Sequence, residues 1–498
     1  METSAGSSPR NPDVWEPLPP EAFDSAAARH LLRRVTWSAT PAEVNRAVRD
    51  GLPATLGRLF PGETVPFPKP PAIAKLEKEA PELTQRIRAA SAQEKRELQR
   101  EAREASQQAL REMSIQWLQF ASQPAVAAQE KWTLFLSDIY VVAYEKVRNA
   151  AHIFDHTAIL REHGFGTAPA LTKAVSRSSA MIRYLDLQDS RRDAPNENFA
   201  RELFELFVLG EGNYSERDIK EAARAFTGYR HREGAFVFAR RQHDNTPKTI
   251  FGRTASFSGD EVIDLAYEQP AAATWLPHEL ARFYLSDSPI PQEQLAALGD
   301  WWRARNFDLR ALAQRFFGSR LFFEPYHRGN YIKSPIQFYL GLIQDLELEV
   351  APFARQVLGS LRQMGQNPFN PPNVRGWVGG RQWINSATLA ARRQLVHVLL
   401  QPINEAALNG DEQRDLAAAR EAGRARFTVD PSYFEALSRL SADELAARLI
   451  DSFLSGETSP TSRDDIIRFL KNNSSTPAAR RIRSVLAALL QSPQYQLC

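Results

Sequence analysis

Cysteine is all but missing from this chain: one residue in 498, Cys498, at the very end. A single thiol excludes an internal disulfide and a thiolate metal cluster, and it leaves the redox compartment open. Charge of one sign is also missing. With 62 basic and 59 acidic residues the net charge is +3, so no global field favours nucleic acid or an anionic membrane. No apolar run approaches the roughly 18 residues that signal a membrane span. The opening METSAGSSPRNPDVWEPLPP has neither a basic n-region nor an apolar h-region. It reads as the start of a cytoplasmic protein, and a periplasmic or extracellular chain trimmed of its leader would read the same way.

Familiar catalytic motifs are missing as well. There is no G-x-x-x-x-G-K-[ST], no G-x-G-x-x-G after a strand, no H-E-x-x-H and no G-x-S-x-G, which disfavours ATP, dinucleotide, simple zincin and nucleophile-elbow chemistry. The paired Glu-x-x-His of ferritin-like di-iron proteins is not there either, since Glu202 leads only to Glu205.

What is there suffices for a core. The hydrophobic fraction of 43% and charged fraction of 24% are those of folded soluble proteins. The length exceeds the roughly 250–300 residues at which one core stops growing, so a large helical body with appended pieces is expected.

Residues 1–22, rich in Pro, Ser and Gly, predict a mobile tail, followed over 23–60 by two N-terminal helices of the main body, Ala26 to Val35 and Pro41 to Arg49. Five prolines between Pro61 and Pro71 mark a linker over 61–72. Residues 73–120 then carry opposite charges three and four apart and predict one or two long exposed helices, a charged insertion. The main helical body spans 121–400. Within it Ser215 and Asp218 form a capping-box start, and GAFVFARRQHDNTPKTIFG predicts a small β-hairpin in which Phe236 and Phe238 pair with a return strand at Thr249 to Phe251. Residues 401–498 read as a C-terminal helical subdomain, with polar turns such as Ser459 to Ser462. The fold class is mainly α, with a small hairpin and a long Gly/Pro/Trp loop.

Three segments carry candidate chemistry. In PNENFARELFELFVLG, Pro195 to Gly210, Asn196 can cap and Gly210 can end a helix whose Phe199, Leu203, Phe204, Leu206, Phe207 and Val208 are apolar around most of its circumference. Such a helix is buried. Asn198, Glu202 and Glu205 then share one face, with Arg201 beside them. Two carboxylates in a poorly hydrated place require an arginine, a metal ion or a retained proton. The segment is read either as an acid/base pair or divalent-cation site, or as an Arg–Glu network that fixes the helix.

The second segment is Gln242-His243-Asp244, at the turn of the predicted hairpin and followed by Lys248. An imidazole beside a carboxylate on a loop suits proton transfer or metal ligation; a turn-forming Asp with a half-exposed His is the structural alternative. The third is Gly365 to Arg393, whose glycines and prolines forbid regular structure over Gly365 to Gly380. Asn370, Asn373, Arg375, Trp377 and Trp383 on such a loop offer planar faces and donors suited to a sugar, or tryptophans that plug the body.

These segments resemble the bacterial domain-of-unknown-function 1800 family. The resemblance lies in HLLRRVTWSATPAEV, AMIRYLD, PNENFARELFELFVLGEGNYSERDIKEAARAFTGY, QHDNTPKTIFG, KSPIQF, NPFNPPNVRGWVGGRQWINS and the terminal SPQYQL. It implies no established activity. It implies an association with a sulfatase-like family, domain of unknown function 1501, encoded beside many members, and so with envelope or polysaccharide work. Members usually carry Trp-His-x-His-Phe where this chain has Leu136, Ser137, Ile139 and Tyr140, so both histidines are replaced. The family's His-Asp-x-Gly-x-Lys becomes His243 to Lys248 with Thr246 in place of glycine.

Two functions are therefore expected. One is a hydrolase or lyase on carbohydrate or another polar substrate, with Glu202, Glu205, His243 and Asp244 catalytic and with Asn198, Arg201, Lys248, Asn370, Arg375, Trp377 and Trp383 holding substrate. Because carboxylates adjacent on one helix are too close to flank a glycosidic bond, Asp244 would supply the second carboxylate. The other is a non-catalytic binding or assembly protein that has lost the histidine pair.

Overall fold

The fold is built around one helix, Ala127–Ile139, which is buried at every residue from Ala127 to Leu136. The computed structural model describes residues 12–232, 234–454, 460–473 and 475–498. The central helix is not apolar, so each of its polar groups must find a partner in another element. Gln129 exchanges two hydrogen bonds with the backbone of Val65, at 2.7 Å each. Lys131 donates to the Thr36 carbonyl at 3.0 Å. Glu130, 0% exposed, takes a bidentate pair from Arg161, 4% exposed, and the Trp117 indole N–H at 2.7 Å. Trp132 from the same helix donates to the Gly164 carbonyl and packs against Phe60, Phe135, Phe165 and Tyr284.

Around this axis the expected mainly α class holds. Asp24 caps the first N-terminal helix, Ser25–Val35, and Thr40 caps the second, Pro41–Leu59, which is broken at Gly51 by a φ of 78°. The charged insertion is two helices, Pro71–Ala89 and Ala92–Ala121, with a capping box of Ser91 and Glu94 at the break. Its solvated character ends partway along, because Met113, Trp117 and Leu118 enter the core. No helix among the described residues is long and apolar enough to cross a membrane.

Several boundaries differ from the sequence reading. Of the expected tail, residues 1–11 lie outside the described residues, but Trp15 is buried and donates to the Gln294 carbonyl at 2.7 Å, while Pro17 bridges Ser319. The apolar surface of Trp15 and Phe23 outweighs the prolines around them. The Pro-rich segment is likewise a strap: Phe67 packs on Phe120 and Phe154. Ser459, placed in a turn, lies outside the described residues, and Pro460 already begins the helix Pro460–Asn472. The C-terminal helices do not stand apart, since Tyr495 packs on Phe338 and Leu497 bridges Ile332. One hydrophobic core runs from Trp15 to Tyr495.

The single expected hairpin is two. Strand β1, Tyr229–Arg232, pairs antiparallel with β2, Ala235–Phe238, and β3, Lys248–Ile250, pairs with β4, Arg253–Ala255. Phe236 therefore faces His231, not the 249–251 segment. Gly234 and Gly252, with φ of 83° and 76°, let each strand turn back on its own neighbour.

Glu130→Ala would leave the Arg161 guanidinium buried without its counter-charge. The expected loss is about 3–5 kcal/mol, as for other broken buried pairs, measured by urea unfolding followed by tryptophan fluorescence; a change within error would remove this pair from the account of the core.

Candidate functional site

The PNENFARELFELFVLG segment folds as its pattern requires, with one addition. The Asn196 side chain accepts from the Asn198 N–H at 2.9 Å, and Gly210 ends the run with a φ of 80°. Between them the α-helix Asn198–Glu202 widens into a π-helix, Leu203–Val208. The Leu206 carbonyl takes the Trp275 indole N–H at 2.9 Å, and the same indole packs where a side chain on residue 210 would stand. The apolar residues of the segment are all buried.

The compensation demanded by its carboxylates comes from the Gly/Pro/Trp loop. Glu205, its side chain 18% exposed, accepts from Arg375 Nη2 at 2.6 Å and from the Tyr214 hydroxyl at 3.0 Å. Glu202 sits next to it, half-buried; burial raises its carboxyl above the usual range, the Glu205 charge adds to that, and Arg375 and Arg201 oppose it. Arg201 itself turns to Glu216, at 2.8 Å through both guanidinium nitrogens, and to Glu197. Asn198 is half-buried, with its backbone N–H bonded to Asn196. The positive charge that a divalent cation would bring is thus supplied by Arg375. Among the described residues no group of three or more His, Cys, Asp or Glu side chains could hold a metal ion.

His243 and Asp244 lie in the connection between the two hairpins. The His243 Nδ1 is 2.9 Å from the Thr227 carbonyl, and the ring packs on Phe238. Burial works to raise the Asp244 carboxyl, but hydrogen bonds from Arg224 at 2.7 Å and from the Thr246 backbone and hydroxyl bring it down to about 2. Lys248 is buried and donates to the carbonyls of Asp244 and Thr246. Thr246 is accommodated where the resemblance has glycine, because its hydroxyl and amide both serve Asp244. This cluster is a satisfied turn.

The two groups do not meet. The helix Glu216–Ala225 packs against both Asn198–Glu202 and β3. Asp244 is bonded to Arg224 and Thr246, and among the described residues no hydrogen bond or ion pair joins His243 or Asp244 to Glu202 or Glu205.

The loop, by contrast, is fixed from several sides. Besides Arg375 on Glu205, the Trp377 N–H donates to Asp138 Oδ1 at 2.8 Å, the Asn370 side chain accepts from the Glu145 N–H at 2.9 Å, and the Phe369 carbonyl accepts from the Tyr144 N–H at 3.1 Å. At Gly376 and Gly380, both with positive φ, a Cβ would collide with the carboxylates of Asp138 and Asp287. Trp377 and Trp383 are 7% and 5% exposed, so they plug the body instead of offering open faces to a sugar.

The family described as "Protein of unknown function (DUF1800)" matches residues 30–497. The chain belongs to the DUF1800 family. No curated protein and no solved structure matches it.

In this DUF1800 chain, Ser137 and Ile139 occupy the positions that the resemblance gives to histidines, and the residue between them proves the most perturbed acid of the loop region. Burial pushes the Asp138 carboxyl up to about 7, against the Trp377 N–H and Arg282, with Glu279 adding to the rise. Seven residues earlier, burial brings the Lys131 ammonium down to about 7. Both line one cavity of about 30 Å³ with Trp377 and Trp383, room for ordered water but not for a sugar ring. Neither residue was a sequence candidate, since both lie in a helix that mixes polar and apolar residues without a spacing pattern. On its other side the loop, at Asn367, Pro368 and Asn370, borders an open cleft of about 470 Å³ against the helix Ala92–Ala121.

An unfolded aspartate ionises near pH 4, whereas folded Asp138 keeps its proton to about 7, so stability from this group is fullest at low pH and declines as pH rises from about 4 to 7. Asp138→Asn keeps an acceptor for the Trp377 N–H and should abolish that decline. Thermal melts of both proteins across this range measure the difference, and parallel curves would mean that Asp138 ionises normally.

Proposed function

We propose that this protein is a binding protein for a polar ligand of the carbohydrate class, and that it recognises its ligand in the cleft between the Asn367–Asn370 turn and the helix Ala92–Ala121. One observation carries this reading: Glu205, His243, Asp244 and Lys248 are each held by a structural partner, while the rigidly pinned loop borders an open cleft of about 470 Å³. That volume suits a ligand of modest size. The replacement of the histidine pair by Ser137 and Ile139 supports the same reading. A loop held by Glu145, Asp138 and Glu205 offers a pre-formed surface, so little ordering opposes binding.

A hydrolase or lyase remains the second reading, because one observation favours it. The Asp138 carboxyl and the Lys131 ammonium, each brought to about 7, are in the range for proton transfer and line the same small cavity. The enzyme reading then moves from Glu202 and Glu205 to the central helix.

Thermal-shift and calorimetric titration with a panel of neutral and acidic oligosaccharides, alongside a reducing-end release assay, separates the two. The binding reading expects saturable binding, no release, and binding that survives Glu202→Gln and Asp138→Asn. Release of reducing ends that Asp138→Asn abolishes would replace it with the enzyme reading.

A further inference from the structure

The cleft beside the loop is lined by five arginines, Arg100, Arg103, Arg111, Arg148 and Arg362, against two acids, Glu104 and Glu145, a surplus of three positive charges on a chain of net charge only +3. None of the five is in an ion pair among the described residues. Arg111 is held by the Gln108 side chain at 2.6 and 3.1 Å, and Arg148 by the Glu145 carbonyl at 3.1 Å, contacts that orient guanidinium groups without neutralising them. Some arginines elsewhere do find a carboxylate, as Arg201 does with Glu216 and Arg420 with Glu405. Clustered cations that find no carboxylate repel one another, and the arrangement is stabilised when an anion arrives.

The cations are also in register. Arg100, Arg103, Gln107 and Arg111 recur at three- and four-residue steps along one face of the Ala92–Ala121 helix, a row of roughly 16 Å at 1.5 Å per residue. Across from them stand Arg362, on the helix Ala354–Gln363, and Arg148, which ends the short helix Tyr144–Val147 in the left-handed region with a φ of 53°. The walls are tied together, since the Phe369 carbonyl and the Asn370 side chain take the backbone N–H groups of Tyr144 and Glu145.

We infer that this cleft binds an extended oligosaccharide carrying anionic ester groups, sulfate or phosphate, with the guanidinium row on the esters and the amides of Gln107, Asn367 and Asn370 near the sugar hydroxyls. Guanidinium groups match the tetrahedral oxyanion with paired donors. A nucleic acid is disfavoured by the lining: its single aromatic side chain, Tyr144, is half-buried and donates to Ser106, so there is no platform on which bases stack. The inference rests on the binding reading above and names the ligand class for that cleft.

The test is calorimetric titration of the full chain at fixed moderate salt with four probes: a sulfated dextran oligosaccharide, a phosphorylated one, the unmodified oligosaccharide, and a single-stranded oligonucleotide of equal charge. Affinity for an esterified sugar should exceed that for the unmodified sugar by at least about tenfold and should fall steeply with added salt. Arg103→Glu and Arg362→Glu, exposed changes on separate walls, should each weaken it by roughly tenfold or more with the melting temperature unchanged. The sulfated and phosphorylated arms identify which ester is preferred. Equal affinity for plain and esterified sugar would overturn the anionic inference while leaving the binding reading standing; tighter binding of the oligonucleotide would overturn the ligand class; binding of none would overturn both.

Discussion

The structure depends on a charged helix that water cannot reach. Over Ala127–Leu136 every side chain is enclosed, yet Gln129, Glu130, Lys131 and Thr133 are polar. A buried polar group without a partner costs on the order of 1–3 kcal/mol, and a charge more, so this helix forms only where other elements bring donors and acceptors to it. Arg161 and Trp117 close on Glu130, the Val65 backbone on Gln129, the Thr36 carbonyl on Lys131. Those partners come from the helix after the core segment, from the charged insertion, from the Pro-rich strap and from the N-terminal region. The pieces that look separable along the chain are thus joined at one axis, which is why one large core extends from Trp15 to Tyr495, beside a small second cluster of Phe353, Leu416, Ala419 and Phe427.

The same principle shapes the loop from Gly365 to Trp383. It has no regular structure to satisfy its backbone, and carboxylates from elsewhere do so: Asp138 takes the Trp377 N–H, and Asp287 lies 3.3 Å from the Arg381 N–H. Close approach of those carboxylates is possible because residues 376 and 380 are glycines. Arg375 then locks the loop to Glu205, and the Asn370 side chain caps the Tyr144–Val147 turn. Rigidity of this kind is what lets a loop border a cleft of fixed shape.

Much of the framework was legible. The apolar periodicity of Pro195 to Gly210 located a buried helix, and its Asn196 and Gly210 ends behave as expected. The capping box at Ser215 and Asp218 is present, and Glu205 has the compensating charge that its burial requires. The source of that charge was not legible. Arg201, the near neighbour in sequence, points to Glu216, and Arg375, 170 residues away, does the work. Proximity along a helix gives no information about which long side chain wins when a distant loop brings a better-placed guanidinium. The hairpin was misread for a related reason: local turns at Gly234 and Gly252 close each strand on its neighbour before a longer-range pairing can form. Asp138 and Lys131 carried no spacing pattern at all, since their perturbation comes from burial among residues far apart in sequence, Trp37, Arg282 and Trp377 among them.

By itself the amino-acid sequence determined the helical class, the impossibility of an internal disulfide, the kinship, and which helix would be greasy enough to make its acids costly. These follow from composition and from periodicities of a few residues, which the chain carries locally. Tertiary structure alone decided that Glu205 meets Arg375, that His243 and Asp244 are held in a satisfied turn, and that five arginines from two helices and the end of a third face one cleft. Each of those depends on where long-range packing sets a side chain relative to residues far off in sequence, and burial and charge act through space, not along the chain.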